Sequence, residues 1–185
     1  MPVRDILRMG HPILRGRSSE VDDPTTATIA GLRQDMEDTL VPINSCGIAA
    51  PQIGIPLRVV LYRIPPDRIP AGARTQPVPW TLMVNPVITP LGPETSEIWE
   101  RCLSLPGLYG RVPRHRRVGV RFHGLDGKLV EREATGFHAM ILQHECDHLD
   151  GVLYPMRMTD MTQLSFASEM NLAGGFFKYQ PQDFD

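Results

Sequence analysis

The segment from Gly136 to Asp150 constrains this chain more than any other. Wound as a helix, it sets Phe137, Met140, Ile141, His144 and His148 along one face and Leu142, Cys146 and Leu149 along a second stripe. A helix that is apolar nearly all round belongs in the interior. This one would carry two imidazoles and a carboxylate inside with it, and such groups are costly to bury without partners or a metal. The rest of the chain must therefore wrap this helix and bring something to its polar side chains. Gly151 is placed to end it.

The wrapping is made of strands. Leu57–Ile64 reads LRVVLYRI, rich in β-branched and aromatic residues. Further strands are expected over Leu82–Ile88 and Ile98–Leu103. Val118–Leu125 and Leu129–Glu133 flank Asp126-Gly127, a strong hairpin signal. An earlier helix is expected over Ala27–Leu40, with Ile29, Leu32, Met36 and Leu40 at helical spacing, Asp22-Asp23-Pro24 before it and Pro42 after it. Residues 65–79 read as a Pro-rich loop, and the tail from Met161 has room for one more short helix. Strands first and a buried helix afterwards predict an α+β fold, with antiparallel strands packed around a central helix. The length predicts one catalytic domain over residues 1–185.

Bulk properties narrow the function class. The formal charge of −2 provides no field to draw nucleic acid or anionic lipid. The basic run Arg111–Arg117 reads as solvated surface. The N-terminal residues lack the apolar stretch of a signal peptide, and no apolar run approaches the roughly 20 residues that span a bilayer. Cys46, Cys102 and Cys146 are odd in number and widely separated, which is no disulfide framework. The expected location is the cytoplasm, where thiols stay reduced and are free to be core residues, nucleophiles or metal ligands.

His144-Glu145-Cys146-Asp147-His148 carries the chemistry. Two histidines four apart on a helix can reach one metal, and the glutamate beside the first can act on water without being a ligand. A catalytic site of this kind usually has three protein ligands and one open position. For the third, the pattern HExxHxxGxxH would put Tyr154 where a histidine is needed, and Tyr154 is not a usual zinc ligand. A downstream glutamate could serve, and Glu169 is the only one after the motif. Cys102 is the other candidate, although a cysteine at a strand end is by itself more often core.

Three separated segments resemble the three motifs of peptide deformylases. Gly47-Ile48-Ala49-Ala50-Pro51-Gln52 resembles the first, Glu100-Arg101-Cys102-Leu103-Ser104 the second, and Gln143-His144-Glu145-Cys146-Asp147-His148-Leu149 the third. They stand in the family's order and approximate spacing. Weaker similarity covers Leu7–Leu14, Val84-Asn85-Pro86, Val112-Pro113-Arg114 and 150–154. Two places depart from the pattern. Arg101 stands where the second motif has glycine, and Ser45-Cys46 precede Gly47 where the first motif often opens with an extra glycine. With Cys102 facing inward, strand alternation sends Arg101 the other way.

The resemblance implies a metal-dependent hydrolase that removes the N-formyl group from the starting methionine of new proteins. It implies Cys102, His144 and His148 as ligands of one divalent ion, iron(II) in the cell with zinc, nickel or cobalt as substitutes. It implies Glu145 as the general base, and the Gln52 amide and Leu103 backbone N–H as donors to the oxyanion. Substrate contacts are expected from Gly47, Ile48, Cys46 and Glu100, with Met140 and Ile141, one turn before His144, lining an apolar slot for methionine. The expected partners are N-formylmethionyl nascent peptides, with room for a transient ribosome contact and none for a membrane or sequence-specific nucleic acid.

Overall fold

The computed structural model describes residues 3–170. Strands β1 (Gly47–Ala49), β2 (Val59–Ile64), β3 (Val78–Pro90), β6 (Arg117–His123) and β7 (Leu129–Thr135) form an antiparallel sheet in the order β1-β2-β3-β6-β7. A second antiparallel sheet holds β4 (Thr95–Cys102), β5 (Leu105–His115) and the short β8 (Ser165–Phe166). Among the described residues there are also three α-helices, α1 (Ala27–Leu40), α2 (Gly136–Leu149) and α3 (Ala167–Met170), and several short 3-10 turns. The α+β architecture expected from the sequence is the one observed. No helix of the described residues is long and apolar enough to cross a membrane.

The unbroken apolar run of β2 has a physical cause: the five-stranded sheet is covered on both faces. Val60, Tyr62 and Ile64 pack with Met83, Val118, Val120 and Phe122 against Phe137, Met140, Ile141 and Leu142 of α2. Val59 and Leu61 point the other way, with Leu82, Val84 and Ile48, into the core beside α1. There Ile29, Leu32, Met36 and Leu40, the four positions marked by helical spacing, are all buried. A smaller third cluster, including Cys102, Leu105, Val112, Leu153 and Tyr154, ties the second sheet to the segment after α2.

α2 is held at both ends. Gly136 (φ 55) turns the chain out of β7 into its first residue. At the other end Arg58, itself buried, donates to Leu149 O (3.3 Å) and to Asp150 Oδ1 (2.7 Å), satisfying a carbonyl the helix leaves open. Gly151 follows with φ 72, and a Cβ there would lie 2.5 Å from the Arg15 carbonyl oxygen. Only glycine fits both demands. The hairpin at Asp126-Gly127 joins β6 to β7 as expected.

Three strands of the described residues were not legible in the sequence, β1, β5 and the two-residue β8. One solvated run was misread: within 111–117, Arg114 is 4% exposed and lies in the interior. The residues after Gly174-Gly175, where the sequence itself stops being informative, lie outside the described residues.

Candidate metal centre and active-site cavity

The end of β4 and the middle of α2 meet in the interior. Among the described residues, Cys102, His144 and His148 form a buried group whose ligand atoms all lie within 4.8 Å of one another. Helical spacing brings the two imidazoles together, their rings edge to face with centroids 5.0 Å apart. Cys102 Sγ is 3.4 Å from His148 Nε2. Burial opposes ionisation of the Cys102 thiol, but His148 and His144 outweigh it and hold its pKa well below the ordinary value. One thiolate and two imidazoles within bonding reach of a common point is a donor set that fits a divalent transition-metal ion. Glu169, the alternative ligand, is exposed on α3, where it accepts from Ser168, and is not in this group. Tyr154 stacks its ring on that of His144 at a centroid distance of 6.4 Å.

Behind the ligands lies a network that the sequence did not announce. Glu100 Oε2 is 2.7 Å from His144 Nδ1, which leaves Nε2 as the atom turned to the group. Glu100 in turn accepts from Arg114 Nε (2.6 Å) and Nη2 (3.0 Å). Arg114 Nη1 reaches Asp147 Oδ2 (2.6 Å), and Asp147 Oδ1 accepts from Arg157 Nη2 (2.8 Å). Burial would raise the Glu100 pKa, but the Arg114 guanidinium and the His144 contact reverse this and bring it to about 2. Burial also opposes protonation of His144, whose pKa is nevertheless held well above the usual imidazole range by Cys102 and Glu100. A signal for this network did exist: Asp147 sits on an all-round apolar helix, and a buried carboxylate demands a cation.

In front of the ligands opens a cavity of about 390 Å³. Gln52, Leu103, Glu145, Met140, Ile141, Cys46 and Gly47, all singled out in the sequence, line it. Glu100 reaches its wall too, but both carboxylate oxygens are taken by Arg114 and His144. Ile48 does not line it. Its side chain is fully buried in the α1 core, so only its backbone is near. Trp99, Leu105, Leu108, Tyr109 and Phe137 were not singled out beforehand as pocket residues and complete an apolar wall.

Two polar groups are aimed into this space. Gln52 Oε1 accepts from Ala49 N (2.9 Å), which leaves Nε2 pointing at the site, 3.5 Å from Cys102 Sγ and 3.1 Å from Ser104 Oγ. Glu145 Oε2 is buried without a hydrogen-bond partner among the described residues. Burial raises the Glu145 pKa to about 7, the two histidines pulling against it. A Cβ built on Gly47 would stand 2.5 Å from Glu145 Oε1. Gly47 lies in β1, the edge strand of the larger sheet.

Arg101 behaves differently from simple strand alternation. It is exposed while Cys102 is buried, yet it lines the mouth of the same cavity. The pairing of β4 with β5 shifts register between Arg101 and Cys102, and such an irregularity re-aims side chains.

A family model described as polypeptide deformylase matches residues 3–164. The chain is 47% identical over 176 residues to peptide deformylase 1 of Prochlorococcus marinus, covering 94% of this chain and 90% of that one. It is 42% identical over 170 residues to peptide deformylase 1 of Nitrosomonas europaea, covering 91% and 94%. Among solved structures, the Met-Ala-Ser-bound class I type b peptide deformylase of Acinetobacter baumannii superposes with a TM-score of 0.77 at 33% identity, over 85% of this chain and 99% of that one.

Proposed function

The chain belongs to the polypeptide deformylase family, metal-dependent hydrolases that remove the N-formyl group from newly made peptides, and we propose that it does this chemistry with the residues gathered in the cavity in front of α2. The observation that carries the assignment is the Glu145 carboxylate, buried and unpartnered at Oε2, facing the same cavity as the Gln52 amide and the three-ligand group. Cys102, His144 and His148 hold one divalent ion. When bound, that ion polarises a carbonyl and makes water acidic enough to attack near neutral pH. Iron(II) is the ion we assign in the cell, with zinc, nickel or cobalt as replacements, since a thiolate with two imidazoles accepts all of them.

The chain's own groups do the rest. Glu145 takes the proton of the attacking water at its free oxygen and returns it to the leaving nitrogen. A carboxylate raised to about 7 by burial is suited to both halves of that transfer. Gln52 Nε2 and the Leu103 backbone N–H donate to the oxygen that gains charge as the formyl carbon becomes tetrahedral. One such donor is worth about 3–4 kcal/mol. Glu100 and Arg114 hold the His144 ring in one orientation and one tautomer.

The formyl-methionyl end lies along the free edge of β1 as an added strand, its backbone held by that edge. Gly47 leaves the space this approach needs. Met140, Ile141 and Cys46, with Phe137 and Leu105, receive the methionine side chain. Cys146 takes no part: it is buried on α2, and burial pushes its thiol pKa up. The reading places the protein in the cytoplasm as one catalytic domain, with its three free cysteines reduced.

The decisive experiment is formate release from a formyl-Met peptide by protein purified anaerobically with iron(II), with metal content measured alongside. Formate released in proportion to bound metal is expected. A fully loaded protein that releases none overturns the reading.

A further inference from the structure

The cavity mouth is charged, and with one sign. Two arginines line it, Arg68 from the segment after β2 and Arg101 from the end of β4. Arg101 is exposed and Arg68 half-buried. Both stand close enough to Cys46 for their charge to act on its thiol, so they flank one part of the wall. Among the described residues, neither pairs with a carboxylate; the ion pairs of this chain are made by other arginines, by Lys128 and by His144. The two carboxylates that reach the wall do not cancel them. Glu100 is spent on Arg114 and His144, and Glu145 is buried. Asp67, next to Arg68, is outside the wall and accepts from Asn44.

Resting on the deformylase reading, we infer that Arg68 and Arg101 make the mouth a selector for formyl-methionyl peptides with an acidic residue at the second or third position. The reach follows from chain geometry. Consecutive Cα atoms are about 3.8 Å apart, so Arg101 begins one residue from Cys102, and an extended peptide advances about 3.3 Å per residue away from its formyl group. Both arginines line the cavity that the formyl-methionyl end enters, so the next one or two residues stand within about 10 Å of their charge, inside the screening length at about 0.1 M salt. Arg101 stands where the second motif that this segment resembles has glycine. The preference is additional to the methionine slot, whose wall of Met140, Ile141, Phe137 and Leu105 is apolar and meets the two arginines only at Cys46.

The test uses the metal-loaded full-length protein and three amidated peptides: formyl-Met-Ala-Glu, formyl-Met-Ala-Gln and formyl-Met-Ala-Lys. At low ionic strength kcat/KM for the acidic peptide should exceed that for the basic one about tenfold, with the neutral peptide between. In about 1 M salt, where the screening length is about 3 Å, the ratio should shrink towards one. It should also collapse in the R68Q/R101Q protein, and R101E should favour the lysine peptide. A wild-type ratio below about twofold at low salt, with the neutral peptide turned over normally, overturns the selector and leaves the deformylase reading standing. A ratio unchanged in R68Q/R101Q overturns it as well. Failure to turn over the neutral peptide overturns both.

Discussion

Replacing Gly47 by alanine should displace the general base while leaving the fold and the metal-binding group in place. Gly47 has no positive φ, so the backbone accepts a side chain there without strain. In a strand, the lost freedom of the unfolded chain alone would favour alanine by about 0.4–1 kcal/mol. The obstacle is contact. The new Cβ would stand 2.5 Å from Glu145 Oε1, 2.8 Å from Cδ and 2.9 Å from Cγ. An ordinary contact needs about 3.5 Å, so the carboxylate must retreat by about 1 Å. It is the far end of a flexible side chain, and the neighbouring Oε2 has no partner to lose. The fold should therefore barely notice, with a Tm within about 3 °C of wild type. The metal ligands are untouched, so metal content should stay at one equivalent. Turnover should not survive: a misplacement of about 1 Å in a reacting group can cost about 10²-fold. The assay is kcat for formyl-Met-Ala peptide on metal-loaded protein, with metal analysis and a melting curve on the same sample. If kcat stays within about threefold of wild type, Glu145 is not the base whose position matters. If activity falls only because metal or fold is lost, the contact argument is refuted.

Three further outcomes follow from the same geometry. Glu145→Gln should keep the metal and the fold but lose at least about 10² in kcat, because an amide of the same shape cannot accept the proton; comparable turnover at saturating substrate removes Glu145 from the mechanism. Cys102→Ser should lose metal on dialysis while Glu169→Ala keeps it, since a serine hydroxyl is a poor ligand at neutral pH and Glu169 is exposed away from the group; metal analysis after exchange against a chelator decides it. Arg114→Met should destabilise by about 3–5 kcal/mol, because it leaves Glu100 buried without its guanidinium and Asp147 with Arg157 alone; a melting temperature within about 2 °C of wild type would show the network to be dispensable.

The sequence by itself determined the helices, most of the strands and the chemical type of the centre. α1 was legible because periodicity, a start signal and a stop signal agreed, and α2 because its apolar periodicity ran up to Gly151. The pairing of His144 with His148 was legible because four residues make just over one helical turn. Spacing left the third candidate ligand open: Cys102, Tyr154 and Glu169 each stood in some pattern, and among the described residues it is the fold that joins Cys102 to the two histidines in one group. β1 is only three residues long, too short for any period to register. β5 contains Pro106, Gly107 and Pro113, residues that argue against a strand until partners on both sides are known. Arg114 lies in a run of basic residues, and nothing local distinguishes it from Arg116 or Arg117. Whether a charge can be buried depends on what meets it, and its partners Glu100 and Asp147 are 14 and 33 residues away. Arg101 shows the same limit on a smaller scale. Alternation predicted that it would turn away from the site, but a register shift beside Cys102 set its aim instead. Local propensity and periodicity are properties of neighbours in the chain, whereas ligand sets, buried ion pairs and the direction of a side chain at a bulge are properties of neighbours in space.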